Sequence, residues 1–578
     1  MKNLKWPARV WSAGAAFVMC GALALPAFSQ APASDADASN EVLSEPVLQI
    51  LGIDKEQIDP PAGASAKTEE TAGKVKAALE EGVRAFASQN GPAAIAAFEK
   101  ARTEDASLAP ATLYFAKLCF ATNNEQILNT GRTALETTLA SEKDRDTAEA
   151  YYLFGRLALA GGRLADADLH FQKALSLSSQ GGLPSAAGGE GAKPDDAATK
   201  RQRSFLKDIY ANQVQVALAR RSMSEAESLV NSWLALDADD AQALFRRGQI
   251  MYQSDPKSKS KQDEARKDLE KAYQLSVDAQ KKDPNAKPDD LAPLPPPELV
   301  MIQLHTANQK TKEAEEEVTK LKAEIESKYG ANKKEAGRIY SSLAMWYMQT
   351  NKAGEAQVMA TEAMKADPKA PALQKMSALM RYFTNDPTVK EDFAKMANAE
   401  PGDFMVTNTL ALILAESDSA EDKAKAVQLA EMNARLNQNS ADALSTLCWV
   451  YYSVERTSEA LQVYNLLVQA VQNGAQLSGD TAYFMARVVV LSNLQNKFEA
   501  ATQLLQLAKS SQGTFKHRAE AEKWLEDLTG KSSTKPAPAT GSTLPKIQAV
   551  PTPAGGGTTP ASGTSGTPNP GSGSSGNN

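Results

Sequence analysis

The sequence predicts an all-α protein, a right-handed α-solenoid of stacked antiparallel helix pairs with disordered termini. Three observations predict it. Residues 151–174 follow the spacing Tyr151-x2-Phe154-Gly155-x2-Ala158, then Ala167-x3-Phe171-x2-Ala174. That pattern sets small residues where two helices cross closely and a ring where the next pair must be met. A 3.6-residue apolar period persists over residues 70–530, and no strand-like alternation of useful length interrupts it. One helix pair cannot bury its apolar stripe alone, so neighbours must stack into an array.

The pairs follow in order. Gly82, Ala94, Phe98 and Ala101 mark the first, and Leu113, Leu118, Ile127 and Leu135 a poorly matching second. After the pair at Tyr151 come Tyr210 with Ala226, Val230 and Trp233, then Leu244, Gly248, Ala265, Leu269 and Ala272. Ile302, Ala314, Val318 and Leu321 make a weaker pair. A strong one spans Tyr340 to Ala363, stopped by Pro368, which cannot continue a helix. Phe393 and Met396 close another before Pro401, Leu410, Ala426 and Ala430 mark one more, and Leu444 to Leu467 is again strong. Phe484, Val488, Leu491, Ala500 and Leu504 complete the series. Residues 515–528 (FKHRAEAEKWLEDL) form a charged amphipathic helix suited to cap the stack.

The ends differ in kind. Lys2, Lys5 and Arg9 precede an apolar stretch over residues 10–25, and Ala27 and Ser29 supply a cleavage signal, so residues 1–29 read as a signal peptide. The residues before Cys20, Phe17-Val18-Met19, do not suit a lipid-attachment motif, so anchoring there is not expected. With no other stretch near the roughly 18 apolar residues of a membrane span, the sequence predicts an exported chain, periplasmic or envelope-associated. Residues 30–69 read as a flexible segment in which residues 42–51 (VLSEPVLQIL) offer a short helix able to dock. An array over 70–280 carries a glycine-rich insertion at 181–199, a proline-rich hinge follows at 281–297, and a second array covers 298–530. Residues 531–578, built of Gly, Ser, Thr, Pro and Ala, cannot offset their own ordering entropy and read as a disordered tail.

Chemistry is sparse. The formal charge is −7 before the three positive charges of the leader are removed, which opposes nucleic acid. Cys119 and Cys448 lie on apolar helical stripes and read as small buried hydrophobes. His170, His305 and His517 have no partner at metal-ligand spacing, and the glycine-rich insertion lacks the Gly-Lys-Ser/Thr of a phosphate loop. No catalytic, cofactor-binding or metal site is assigned, and no cofactor is expected.

The chain resembles the tetratricopeptide repeat family over residues 70–530, and within it an exported bacterial member. The resemblance implies a superhelix whose concave groove, lined by the first helix of each pair, holds peptides or partner helices. Mapped onto this sequence, that groove includes Tyr152, Arg156, Phe245, Gln249, Tyr252, Met345, Trp449 and Tyr452, with Glu149, Arg338, Ser341, Asp442 and Ser445 beside them. Family members that clamp a terminal carboxylate carry Lys and Asn one turn apart on the first helix. Here Lys117 is followed by Ala121 and Arg246 by Ile250, so that clamp is not carried over. The expected function is a non-enzymatic protein–protein interaction scaffold of the bacterial cell envelope, with self-association open. The alternatives are a structural tether acting through the tail and a cryptic enzyme without a motif.

Overall fold

The computed structural model describes residues 42–530 except 54, 61–64, 123–124, 180–196, 283–293, 438–439, 476 and 512. The leader at 1–29, most of the 181–199 insertion, most of the 281–297 hinge and the 531–578 tail therefore lie outside the described residues.

Among the described residues the chain is helical. Two short helices, α1 (Glu45–Leu51) and α2 (Lys55–Ile58), fall within the segment expected to be flexible. Six antiparallel pairs follow: α3–α4 (Ala66–Ala87, Gly91–Glu104), α5–α6 (Ala111–Phe120, Glu125–Ala140), α7–α8 (Ala148–Ala160, Leu164–Ser179), α9–α10 (Ala197–Ala219, Met223–Leu236), α11–α12 (Ala241–Ser254, Lys259–Lys282) and α13–α14 (Pro297–Ala307, Thr311–Lys328). Five more are α15–α16 (Lys333–Gln349, Ala353–Ala366), α17–α18 (Pro371–Phe383, Val389–Ala399), α19–α20 (Phe404–Ala415, Ala420–Leu436), α21–α22 (Ala441–Ser453, Thr457–Gln472) and α23–α24 (Gly479–Val489, Lys497–Ser510). A last helix, α25 (Arg518–Thr529), packs on α24. It starts three residues later than the sequence pattern suggests, leaving Phe515, Lys516 and His517 outside the helix.

The described residues form two compact units, divided between Glu324 and Ile325, inside α14 and beyond the proline-rich stretch expected to be the hinge. Pro297 there opens α13, where its missing N–H costs nothing. Each unit is a stack in which every pair packs on the next.

The small repeated residues act as their spacing predicts, whereas the Phe171 ring, expected to meet the next pair, lies against the first helix of its own pair. A Cβ on Gly155 would come 2.5 Å from the Phe171 ring, so only glycine lets the ring lie across the first helix. Gly82 and Phe98 repeat the arrangement at 2.4 Å. Phe98 and Phe171 are fully buried, as are Ala94, Ala101, Ala167 and Ala174 at the crossings.

The turn inside the pairs is a shared backbone device. Gln89, Arg221, Gln309, Asn351, Asn385 and Glu455 all have φ of 58–61°, and Gly162 takes the same place. In each turn the next residue donates its N–H to the carbonyl five positions back, as in Arg163 to Ala158 and Arg456 to Tyr451, at 2.8–3.0 Å. This closes the first helix with a left-handed residue and satisfies an otherwise orphaned carbonyl. An L-residue is disfavoured there by about 1–2 kcal/mol, partly offset in glycine by its larger chain entropy. Exposed Glu455→Gly is accordingly expected to raise stability by roughly 0.5–1 kcal/mol and Glu455→Val to lower it, both read by urea denaturation.

Candidate protein-binding site

Five of the sequence-predicted groove residues fall in the first unit. Tyr152 and Arg156 sit on α7, and Phe245, Gln249 and Tyr252 on α11. Tyr152 is half-buried, edge-on to Phe205 with centroids 5.4 Å apart, and its hydroxyl accepts from Asn212 Nδ2 at 3.3 Å. The Arg156 guanidinium lies 5.8 Å above its ring. Asp208, on α9 between these helices, is accessible to solvent yet surrounded by enough protein that desolvation raises its carboxyl pKa, against the opposing charge of Arg156. Accessible but crowded is what a concave face produces. Gln249 completes the strip, its Oε1 accepting from Arg246 at 2.9 Å.

Phe245 and Tyr252 depart from the expected groove positions. Phe245 is 8% exposed and packs in the core with Trp233 and Leu244. Tyr252 is wholly buried, and its hydroxyl pairs with His305 Nδ1 at 2.7 Å. Phe245, Gln249 and Tyr252 share one stripe of α11; it packs on neighbouring helices, through His305 of α13 at Tyr252, and of the three only Gln249 stays partly exposed. That contact also accounts for His305, whose pKa is lowered by burial. His170 stacks on Phe154 and is lowered for the same reason. Burial pushes the Cys119 thiol up to about 12 and raises that of Cys448 still further, which leaves both inert as nucleophiles. No group of metal-ligating side chains and no helix long and apolar enough to cross a membrane occurs among the described residues.

The N-terminal segment also reaches a first helix. Leu48 and Leu51 of α1 are buried in the core of the first unit, and Lys117 of α5 donates to the Leu51 carbonyl at 2.8 Å while pairing with Glu149 at 2.6 Å. The cation thus caps the negative end of α1, and Lys117, set aside as a clamp residue, has a structural role.

In the second unit, Met345 on α15 is 47% exposed, whereas Trp449 on α21 is only 7% exposed. Half-buried Tyr452 stacks on Trp449 at 5.2 Å, and Phe484 stacks on the same indole at 4.4 Å. What completes this cover is a segment of the chain itself. Residues 513–518, which lead from α24 into the first residue of α25, touch the first helix of all five pairs. The Thr514 N–H donates to the Met348 carbonyl at the end of α15 at 2.7 Å. Lys516 lies 4.4 Å over the Tyr382 ring of α17 and pairs with Glu416, the cap of α19. His517 lies 5.3 Å from Trp449 of α21 and stacks on Tyr483 of α23 at 5.1 Å. Phe515 packs against Gly479, where a Cβ would come within 2.4 Å of its ring. Six residues span about 20 Å at most, so the five first helices converge on this strap, which occupies the inner face of the unit.

The electrostatics around the strap are concentrated. His517 Nδ1 lies 2.8 Å from Glu520 and Nε2 lies 3.2 Å from Glu416, with the Asp480 charge also acting on it. Burial lowers the imidazole pKa, but these hydrogen bonds and carboxylate charges outweigh it and the net shift is upward. Desolvation pushes the Asp480 carboxyl up to about 6, against the His517 charge and the amides of Lys516 and His517. Glu416 is desolvated too, yet His517 and Lys516 hold it below the ordinary carboxylate range. Beside the strap a pocket of about 540 Å³ is lined by Trp449, Tyr483, Arg487, His517, Trp524 and the carboxylates Glu416, Glu520 and Asp527, with Lys523 at its side.

The sign of the pH dependence follows. A histidine raised in the folded state contributes fully below its ordinary 6.5 and loses that contribution as pH rises through the folded value. Asp480, also raised, loses its contribution between 3.8 and about 6. Lowered Glu416 opposes them only on the acid side, below its ordinary 4.5. The second unit is therefore expected to lose stability as pH rises above 6.5, and His517→Gln to flatten that limb in urea denaturation series over pH.

No family model and no curated protein matches this chain. Solved structures do. Yeast Tom70 is 14% identical, with 79% of this chain and 96% of that one covered at a TM-score of 0.31. The TPR domain of P58(IPK) is 15% identical, covering 75% and 99% at 0.19. A monomeric mutant of IFIT1 with m7Gppp-AAAA is 13% identical, covering 72% and 81% at 0.29. At such TM-scores the architecture rests on the helix pairs themselves. Their crossings at Gly82–Phe98 and Gly155–Phe171 and their common turn make the described array an α-solenoid of tetratricopeptide-like repeats.

Proposed function

We propose that this chain is a protein–protein interaction scaffold, exported to a bacterial cell envelope, that holds segments of partner proteins on the first-helix faces of its array. The observation that carries this reading is the strip across α7, α9 and α11: Tyr152, Arg156, Asp208, Asn212 and Gln249, accessible or half-buried on three successive first helices. A ring, a guanidinium, a carboxylate and two amides side by side suit a polypeptide, whose backbone and side chains need both donors and acceptors. The acidic balance of the chain disfavours a nucleic-acid phosphate backbone. Self-association through the ends of the stack is a further route to partners.

Crosslinking pull-down from the envelope of the native cell, with the mature chain as bait, tests the reading. Arg156→Glu with Gln249→Arg reverses or adds charge at partly exposed positions and leaves the core alone. A defined protein captured by the unaltered chain and lost with this double variant supports the strip as a recognition face. An unchanged profile sinks it. Fractionation and the N-terminal mass of the recovered chain check export and cleavage near residue 29.

A further inference from the structure

We infer that residues 513–518 are a built-in pseudo-ligand, and that the face they cover in the second unit takes an extended partner peptide bearing an aromatic residue followed by two cationic side chains. The inference rests on the reading that first-helix faces of this array hold polypeptide segments.

Three observations carry it. First, the face already holds an extended segment of this kind. Residues 513–517 are not helical, and they are held by the Thr514 N–H on Met348, the amides of Lys516 and His517 on Asp480, the Phe515 ring and the Lys516 and His517 side chains. Phe515 and His517 are buried to 5% and 7% exposure, as anchors of a bound peptide would be.

Second, the bed is complementary in charge and shape to the sequence Phe515-Lys516-His517. Glu416, Asp480 and Glu520 converge on the two cationic residues, and Tyr382 supplies a ring face for the ammonium group. Trp449, Tyr483 and Phe484 enclose the imidazole. A ring-bearing peptide without cations would leave Glu416 and Asp480 desolvated and without a cationic partner. An acidic one would be repelled.

Third, the seam is incompletely satisfied. Thr514 Oγ1 on the strap and Trp449 Nε1 beneath it are buried with no hydrogen-bond partner among the described residues. A segment selected only to stabilise the fold would be expected to pair such groups. The strap is retained because its tether, held by α24 on one side and α25 on the other, supplies it at an effective concentration in the millimolar range for a short linker. A free peptide that satisfies these groups better competes with it.

The test uses the full chain and a fluorescein-labelled peptide of residues 510–519 (SSQGTFKHRA), with binding read by fluorescence anisotropy. In the variant Phe515→Ser, Lys516→Ser, His517→Ser the face is vacated, and the peptide is expected to bind at least tenfold tighter than to the unaltered chain. Adding Glu416→Lys to that variant is expected to weaken binding at least tenfold. A peptide with glutamate in place of Lys516 and His517 is expected not to bind. Equal affinity for the unaltered and vacated chains overturns the inference, as does absence of binding to a vacated chain whose far-UV circular dichroism is unchanged. Should the triple variant lose its helicity, Lys516→Glu, which changes only the charge facing Glu416, takes its place with the same readings. The pull-down on Arg156→Glu with Gln249→Arg probes the first unit alone. A partner lost there, with no peptide binding here, upholds the scaffold and rejects the pseudo-ligand.

Discussion

Trp449→Ala is expected to lower the stability of the second unit by about 3–5 kcal/mol, the range for deleting a buried large aromatic side chain. The indole is 7% exposed and meets four rings, those of Tyr452, Tyr483, Phe484 and His517, at centroid distances of 4.4–5.9 Å. Its loss leaves a void between α21, α23 and the strap that no neighbour fills without leaving another contact. Urea denaturation followed by circular dichroism measures the loss. Amide exchange should confine it to residues 325–530, because solenoid pairs contact chiefly their neighbours. A loss below 1 kcal/mol would show that the strap rearranges to fill the site. The same burial disqualifies this residue as a clean probe of binding, since its removal changes the unit before it changes any partner.

Phe171→Ala is expected to have a comparable effect in the first unit, again about 3–5 kcal/mol. The ring is fully buried, lies against Gly155 and reaches Tyr152 at 6.0 Å, so it joins the crossing of its own pair to the recognition strip. Amide exchange should here rise around α7 and α8. A reciprocal test is Gly155→Ala, whose added Cβ would come 2.5 Å from the ring and must push it out of the crossing. Exchange confined to the second unit would contradict the packing described.

The crossings were legible because they obey a local rule. Gly155, Ala158, Ala167, Phe171 and Ala174 recur at fixed spacing, and sterics alone demands small residues opposite a ring. Pro297 at the start of α13 was legible for an equally local reason, its fixed φ. The turn inside the pairs was hidden. Gln89, Arg221, Gln309 and Glu455 carry no residue type that marks a left-handed backbone, and only Gly162, Asn351 and Asn385 betray it.

The site was legible as a set of first-helix residues and illegible as a surface. Tyr152, Arg156 and Gln249 remain accessible or half-buried, while Phe245 and Tyr252 are covered by neighbouring pairs, which spacing within one pair does not record. Trp449 is on the expected helix, but what covers it comes from residues 513–518. Phe515 continues the stripe of the capping helix and so reads as its first turn. Nothing local announces that the chain instead leaves helical geometry to cross the unit.

That crossing changes how the second unit must fold. Helix pairs form from neighbours in sequence, which makes ordinary solenoids fast-folding chains of low contact order that fray from their ends. Lys516 instead meets Glu416 across 100 residues. The loop-closure entropy for such a contact is recovered only once the intervening pairs are in place. The strap should therefore be the last element to form and the first to be released. Until it is released, loss of any intervening pair breaks contacts at both ends of the loop. A stack that would otherwise fray from its ends is thereby held together until the strap is released.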